Sequence, residues 1–140
     1  HLRMERHSSN ALAVAKFLQQ SPAVEWVRYA GLEKDKNYKL VNKYFDNSMC
    51  SGMVVFGIKG GVEAASRFQK ALSLLNIVTH IADVRSCVLH PATSTHRQLS
   101  PKDLQDCGIS QNLIRLSIGI EGQEDIINDI QNALDQSQRR

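Results

Sequence analysis

The sequence predicts an α/β (α+β) domain built as a two-layer sandwich, in which helices cover one face of a small, mixed and mostly antiparallel sheet. Two observations lead to this prediction. Segments of helical and strand periodicity follow one another in the order α, β, α, β, α, β, β, α, β, α. In addition, residues 52–58 form an almost wholly apolar run that is too short for a globular helix, and an amphipathic segment follows it directly.

The first third of the chain is predicted to contain a helix, a strand and a second helix. Apolar residues recur at helical spacing as far as Leu18, so the first helix extends from the N-terminus to that residue and ends before Ser21-Pro22. The β-rich run at 24–29 indicates the first strand. The mixed segment at 37–45 is expected to be helical.

The middle of the chain is predicted to hold a central strand and the helix that packs on it. The apolar run at 52–58 is typical of a strand that is covered on both faces. A pair of glycines then makes a turn, and apolar residues at spacings of three and four place one face of a helix at 62–75 against that strand. Two short extended segments are expected at 77–81 and 86–90.

The last third is predicted to contain a loop, a helix, a strand and a final helix. The loop follows a His-Pro step and is polar without periodicity, whereas the helix after it has a serine N-cap, proline at its first position and a glycine at its end. Alternating apolar residues indicate a strand with one wetter face, and acidic residues begin the final helix. These features occupy residues 90–95, 100–108, 114–120 and 123–134.

Composition and charge narrow the classes of function. The 140 residues fit one domain over 1–140, and 42% hydrophobic with 22% charged residues is ordinary for a soluble globular protein. The net charge of +3 comes from scattered residues, so no nucleic acid partner is expected. No apolar run approaches the roughly 20 residues that span a bilayer, so no membrane partner is expected. Three cysteines cannot all pair, which favours a reducing, cytoplasmic location.

Arg115 is the leading candidate for a functional residue. It stands in an otherwise apolar strand, where its planar guanidinium could bind both oxygens of a carboxylate while keeping its charge near neutral pH. The hydroxyl groups at 93–95 could share such a ligand. The alternatives are that Arg115 is a structural arginine paired with Asp83 or Glu121, and that the polar loop is only solvated.

Other reactive side chains do not form a recognisable site. Cys87, His90 and His96 are of the types that bind zinc, but their spacing matches no tight ligand pair and a fourth ligand is missing, so no metal is expected. A thiol in an apolar strand, as at Cys87, is usually inert. The glycines at 57–61 lack the lysine and hydroxyl pattern of a phosphate-binding loop. The residues alone assign no catalytic group, and an amino-acid-sensing or regulatory module fits them as well as part of an enzyme does.

Five stretches of the sequence form a recognisable set in a fixed order. They are LRMERH followed by NA within 2–11, VEWV at 24–27, SGMVVFGIKGG at 51–61, HPATSTH at 90–96 and LIRLSIGIE at 113–121. Through these stretches essentially the whole chain resembles the C-terminal domain of the Cys/Met metabolism family of pyridoxal-phosphate enzymes. The resemblance is greatest to members that replace the acetate of O-acetylhomoserine by sulfide or a thiol to give homocysteine, with the cystathionine γ-synthase and γ-lyase branches as alternatives.

The resemblance implies roles for particular residues. The arginine that matches Arg115 holds the α-carboxylate of the amino-acid substrate, and the threonine that matches Thr95 lies close by. The cofactor, pyridoxal phosphate (PLP), is held in that family by a larger preceding domain that also supplies the Schiff-base lysine, so this chain is expected to bind no cofactor and to be inactive alone. The complete enzyme is expected to be a homotetramer. The start of the chain, helical in composition and without an initiating methionine, also suggests part of a longer protein.

The sequence departs from the family pattern at one segment, 79–83. Relatives usually carry a small polar residue where this chain has His80, and a glycine where it has Ala82. His80 therefore replaces a smaller residue close to the expected position of the substrate carboxylate, and it could add a pH-sensitive donor to the site. The alternative is that His80 faces solvent and has no role.

Overall fold

The computed structural model describes residues 1–46 and 49–139, and within them the helices and strands follow the predicted order. The elements are α1 (Leu2–Gln20), β1 (Val24–Arg28), α2 (Tyr38–Tyr44), β2 (Met53–Ile58), α3 (Gly61–Ala71), β3 (Asn76–Ile77), β4 (Cys87–Leu89), α4 (Pro101–Asp106), β5 (Leu113–Ser117) and α5 (Gln123–Ser137). A short 3-10 turn over Pro91–Thr93 lies within the predicted loop.

The strands form one mixed sheet in the order β1-β2-β5-β4-β3. Within the described ranges, β3 and β4 run parallel, and the other three neighbouring pairs are antiparallel. The last strand of the sequence, β5, is therefore the middle strand of the sheet. The predicted fold class, a small mixed and mostly antiparallel sheet with helices packed on it, is confirmed.

Alternation along β2 and β5 separates a face covered by helices from an open face. Val54 lies opposite Leu116 and Phe56 lies opposite Ile114, and all four side chains are fully buried. They belong to one core cluster with apolar residues of α1, α3 and α5. Phe56 meets Phe68 of α3 edge to face, with 5.7 Å between the ring centroids. The main core cluster therefore lies between this face of the sheet and the helices, while Cys87 and Leu89 of β4 are buried on the opposite face.

The prediction that β2 is covered on both faces is wrong. It is an interior strand, as expected, but its outward side chains Met53 and Val55 are only half-buried. Gly57 on the same face is buried because the indole of Trp26, on β1, occupies the space where a Cβ would lie. The apolar run thus reflects one core face and one partly open face.

Two elements end earlier than the sequence periodicity predicts. The helix expected to continue to residue 75 stops at Ala71, because Asp129 of α5 accepts the backbone amides of residues 73–75 at N···O distances of 2.8 to 3.1 Å. Burial would raise the pKa of Asp129, but these hydrogen bonds outweigh it and lower the pKa. The extended segment expected at 77–81 is a strand only at its beginning, in Asn76–Ile77.

Hydrogen bonds fix the chain where it leaves β5. The Asn10 side chain of α1 donates to the carbonyl oxygens of Gly119 and Glu121 at 3.1 and 3.0 Å. The Ser86 hydroxyl donates to the Glu121 carboxylate at 2.9 Å and accepts the Gly119 amide at 2.8 Å. The segment before β4, the end of β5 and α1 therefore meet at one point.

Gly119→Ala should destabilise the protein by about 1–3 kcal/mol, since a Cβ at this position meets the backbone of Val84 and Ser86, which cannot rotate away. Urea unfolding monitored by circular dichroism measures the change. Gly122→Ala is the comparison: its Cβ would meet only the Asp125 side chain, and a smaller loss of about 0.5–1 kcal/mol is expected, because alanine is a poorer N-cap for α5 than glycine. Equal losses in the two variants would contradict the prediction.

Candidate functional site

Arg115 lies at the centre of the sheet, on the face that the helices leave open. On that face it is flanked by Val55 of β2 and Leu89 of β4, which are its register partners. The side chain is half-buried, and its Nη2 atom donates to the carbonyl oxygen of Thr79 at 3.0 Å. Apolar neighbours on both sides and one backbone contact hold the guanidinium in a defined orientation.

The guanidinium of Arg115 has no acidic partner among residues 1–46 and 49–139. The Asp83 carboxylate instead contacts Arg85 and His80, and the Glu121 carboxylate accepts the amide and hydroxyl of Ser86. The alternative in which Arg115 pairs with one of these two acids is therefore wrong. The positive charge of Arg115 is available to an anion from outside the described residues.

His80 lies in the loop that contacts Arg115, one residue after the carbonyl of Thr79. Its Nδ1 donates to Asp83 Oδ2 at 3.2 Å, and the imidazole is largely exposed. The backbone amide and side chain of Arg85, followed by His80, lower the pKa of Asp83. The structure thus brings His80 to the neighbourhood of Arg115 and ties one of its ring nitrogens to a carboxylate.

Ala82 adopts a left-handed backbone conformation, with φ of 59°. This conformation favours glycine because the Cβ of other residues crowds the following carbonyl oxygen. The departure from the family pattern that the resemblance suggested at Ala82 therefore falls at a position with a conformational cost.

Thr95 is exposed and makes a 2.9 Å hydrogen bond to Nδ1 of the neighbouring His96. Its loop leaves β4 directly after Leu89, the residue that pairs with Arg115. No hydrogen bond joins Thr95 to Arg115 in the part of the chain that the structure describes. Thr95 therefore lies in the loop that follows the strand next to Arg115, and it makes no hydrogen bond to Arg115 in the described residues.

His90 holds the Thr95 loop in place, a role that the sequence did not indicate. It is almost completely buried, its Nε2 donates to the carbonyl of Gln111 at 2.8 Å, and its Nδ1 accepts from the Thr93 hydroxyl at 2.8 Å. Ser94 donates to the His90 carbonyl at 2.6 Å. The histidine therefore fixes both ends of the turn that precedes Thr95.

Ser117 is a second residue that the sequence reasoning missed. It lies two positions after Arg115 on the same face of β5, and its hydroxyl accepts the amide of Ala82 at 3.1 Å. The alternation of β5 does indicate that Ser117 shares a face of the sheet with Arg115, since residues two apart on a strand point to the same side. Ser117 and Arg115 together line up the loop at 79–82 along β5.

The remaining reactive groups stay apart from this site. Cys50, Cys87 and Cys107 are free thiols, and burial is the main cause that raises the pKa of Cys87. The described residues hold no group of three or more His, Cys, Asp or Glu side chains placed to bind a metal ion. Within the same residues, no helix is long and apolar enough to cross a membrane.

The lysines of the chain do not suit a Schiff base to PLP. All of them lie within the described ranges and each is exposed, whereas a lysine that forms and protects an imine needs an enclosed environment. The residues present therefore do not fit the cofactor.

The chain is a small α/β domain in which the half-buried Arg115 guanidinium forms no ion pair within the described ranges. A profile of the family described as Cys/Met metabolism PLP-dependent enzyme matches residues 1–135. The chain belongs to this family, and PLP is the family's cofactor.

Relatives agree with this assignment. The chain is 46% identical to an O-acetyl-L-homoserine sulfhydrylase of Leptospira meyeri, over 95% of this chain and 30% of that protein. It is 40% identical to an L-methionine γ-lyase of Pseudomonas putida, over 96% of this chain and 33% of that protein. The chain thus spans about a third of the length of the curated relatives it matches.

Solved structures show the same fold. One is a putative O-acetylhomoserine (thiol)-lyase of Campylobacter jejuni that contains N'-pyridoxyl-lysine-5'-monophosphate, with a TM-score of 0.89, 39% identity, and coverage of 96% of this chain and 32% of that one. A yeast cystathionine γ-lyase gives a TM-score of 0.94 with 34% identity, over 99% of this chain and 36% of that one.

Ala82→Gly should stabilise the protein by about 0.5–1 kcal/mol. Glycine removes the steric cost of the left-handed conformation, and this gain exceeds the entropy that glycine adds to the unfolded chain. The midpoint of urea unfolding reports the change. In Ala13→Gly, on helix α1, the same substitution should instead destabilise by about 1 kcal/mol. Destabilisation by both substitutions would show that residue 82 is not strained.

We expect stability to fall at mildly acidic pH through His90. Burial, offset only in part by the hydrogen bond to Gln111, lowers the pKa of His90. The unfolded chain therefore binds a proton more readily, so the stabilisation is complete above about pH 6.5 and is lost as the pH falls through the lower folded pKa. Urea unfolding between about pH 7.5 and 5 measures this loss. His90→Gln should weaken the dependence, and an unchanged dependence would assign it to another group.

Proposed function

We propose that this chain is the substrate-binding C-terminal domain of a PLP-dependent O-acetylhomoserine sulfhydrylase. The reaction is a γ-replacement, in which sulfide or a thiol displaces acetate from O-acetylhomoserine to give homocysteine or its thioether. The observation that carries the proposal is the guanidinium of Arg115, which is half-buried, oriented by the Thr79 carbonyl and unpaired with any acid in the described ranges. Identity of 46% to the Leptospira sulfhydrylase supports this branch over the γ-lyases.

Arg115 binds the α-carboxylate in this proposal and moves no proton. Two parallel N–H···O bonds from one guanidinium fix the plane of a carboxylate, and so fix the rotation of the substrate about its Cα. The remaining donors of Arg115 are available because the contact with Thr79 uses only Nη2. PLP would supply the electron sink when bound, but it would be held outside the residues described here.

Thr95 and His80 would complete the carboxylate site from two sides. The Thr95 hydroxyl is a donor on an exposed loop, and it would exchange its contact with His96 for one with the ligand. His80 is bound to Asp83 through Nδ1, which leaves Nε2 as the ring nitrogen directed elsewhere. Neither residue carries the fixed charge of Arg115, so their contributions to binding are smaller.

The proposal also concerns the setting of the chain. A complete enzyme would contain a larger domain that holds PLP, would assemble as a homotetramer and would work in the cytoplasm on an amino-acid substrate. The chain by itself would be inactive, since its exposed lysines do not suit the cofactor.

Arg115→Ala in the complete enzyme should lower kcat/KM for O-acetylhomoserine. The expected loss of transition-state binding free energy is about 2–5 kcal/mol, as when one partner of an enclosed charge pair is removed. Homocysteine formation from O-acetylhomoserine and sulfide is the measurement. Arg97→Ala is a matched control, because Arg97 is exposed and makes no side-chain hydrogen bond within the described ranges. Unchanged kinetics in Arg115→Ala would remove the carboxylate role.

The same assay separates the sibling activities. An enzyme that releases methanethiol from methionine, or makes cystathionine from cysteine and an O-acylhomoserine, but forms no homocysteine from O-acetylhomoserine and sulfide, would assign the chain to a γ-lyase or γ-synthase. Binding of amino acids by the purified chain without cofactor would instead favour an amino-acid-binding module.

A further inference from the structure

The loop at 79–82 has no apolar anchor. The side chains of Thr79, His80, Ile81 and Ala82 are all exposed, so burial contributes little to holding this segment in one conformation. Ala82 in addition adopts the left-handed conformation that disfavours alanine. Polar contacts to the backbone must therefore keep the loop in place.

Three such contacts are present among residues 1–46 and 49–139, and each comes from a different residue. Arg115 donates to the Thr79 carbonyl at 3.0 Å, and Ser117 accepts the Ala82 amide at 3.1 Å. Both residues belong to β5. The third contact comes from α1, where Arg3 Nη2 donates to the carbonyl oxygen of Ala82 at 2.5 Å. Arg3 is therefore the anchor that joins the loop to a helix rather than to the sheet.

The contact from Arg3 acts on the strained residue of the loop. The Ala82 amide is held by Ser117 and its carbonyl by Arg3, so the two peptide groups on either side of the strained φ and ψ angles are fixed together. Loss of the Arg3 contact would free the carbonyl and let Ala82 relax toward an ordinary conformation. Since Thr79 lies only three residues earlier, such relaxation would move the carbonyl that orients Arg115.

We propose that Arg3 is a positioning residue for the carboxylate site. It acts through the loop at 79–82, by holding the Ala82 carbonyl and so the orientation of Arg115 and His80. The inference rests on the proposed function of Arg115. Like Arg115, Arg3 forms no ion pair within the described ranges, so its guanidinium is not already committed to a carboxylate.

A positioning role and a structural role for Arg3 have different signatures. The hydrogen bond of Arg3 is exposed, and a single exposed contact contributes little to folding. Its loss should leave thermal stability nearly unchanged while it loosens the loop. The amino-acid substrate should then bind more weakly, whereas the sulfur nucleophile, which has no carboxylate to be held, should not.

The test compares Arg3→Gln, Arg3→Lys and the control Arg6→Gln in the complete enzyme. Arg6 lies on the same helix, is exposed and makes no side-chain hydrogen bond within the described ranges. Arg3→Gln should raise KM for O-acetylhomoserine about fivefold, with KM for sulfide and the melting temperature close to wild type, because one charge-assisted hydrogen bond is lost. Arg3→Lys keeps a donor and should recover part of the loss, and Arg6→Gln should behave as wild type.

Amide hydrogen exchange provides a readout that does not depend on activity. The Ala82 amide and its neighbours should exchange faster in Arg3→Gln than in Arg6→Gln. If the wild-type enzyme forms no homocysteine, the proposed function fails, and exchange in the loop alone then decides whether Arg3 anchors it. Unchanged exchange would overturn the anchor.

Three kinetic outcomes would overturn the positioning role. The first is an Arg3→Gln enzyme indistinguishable from Arg6→Gln. The second is a loss of kcat and melting temperature with both KM values unchanged, which would make Arg3 purely structural. The third is a raised KM for O-succinylhomoserine but not for O-acetylhomoserine, which would mean that Arg3 contacts a second carboxylate directly.

Discussion

A shift of β5 by one residue against β2 would turn the Arg115 guanidinium into the core and turn Ile114 and Leu116 out to solvent. Burial alone therefore strongly specifies the register of this strand pair. Because β5 lies in the middle of the sheet, the same register also sets where β4 and its following loop stand. Packing on one face of the sheet thus decides the position of the charged group on the other.

The two faces of the sheet are stabilised by different interactions. Under the helices, apolar side chains such as Phe56 and Phe68 hold one another by close packing. On the open face, hydrogen bonds to backbone groups define the loop around Arg115. The first arrangement gives a rigid platform, whereas the second can respond to single polar substitutions without loss of the fold.

Much of this architecture could be predicted because its signals are local in the sequence. The capped start of α4 is an example, since Ser100 and Asp103 form the reciprocal hydrogen bonds of a capping box. The end of α3 could not be predicted, because the group that accepts the amides there is Asp129, a distant residue on α5.

The candidate site shows the same division. Arg115 was visible as one charge within an apolar alternation, but its lack of an acidic partner was not, since that depends on where Asp83 and Glu121 find other donors. His90 is of a residue type that binds zinc, but in the structure it holds a turn in place through its hydrogen bond to the Gln111 carbonyl. A histidine can have many roles, so its role cannot be assigned from the sequence until the residues next to it in space are known.

Alanine at position 82 has a consequence for recognition. Glycine there would let the loop sample many backbone conformations, and a ligand would have to select one of them at an entropic cost. Alanine samples fewer conformations, but it disfavours the left-handed one, so the contacts from Ser117 and Arg3 must hold Ala82 in place. The strain is therefore already present before any ligand arrives, so it lowers the folding stability of the protein and adds no further cost when a ligand binds.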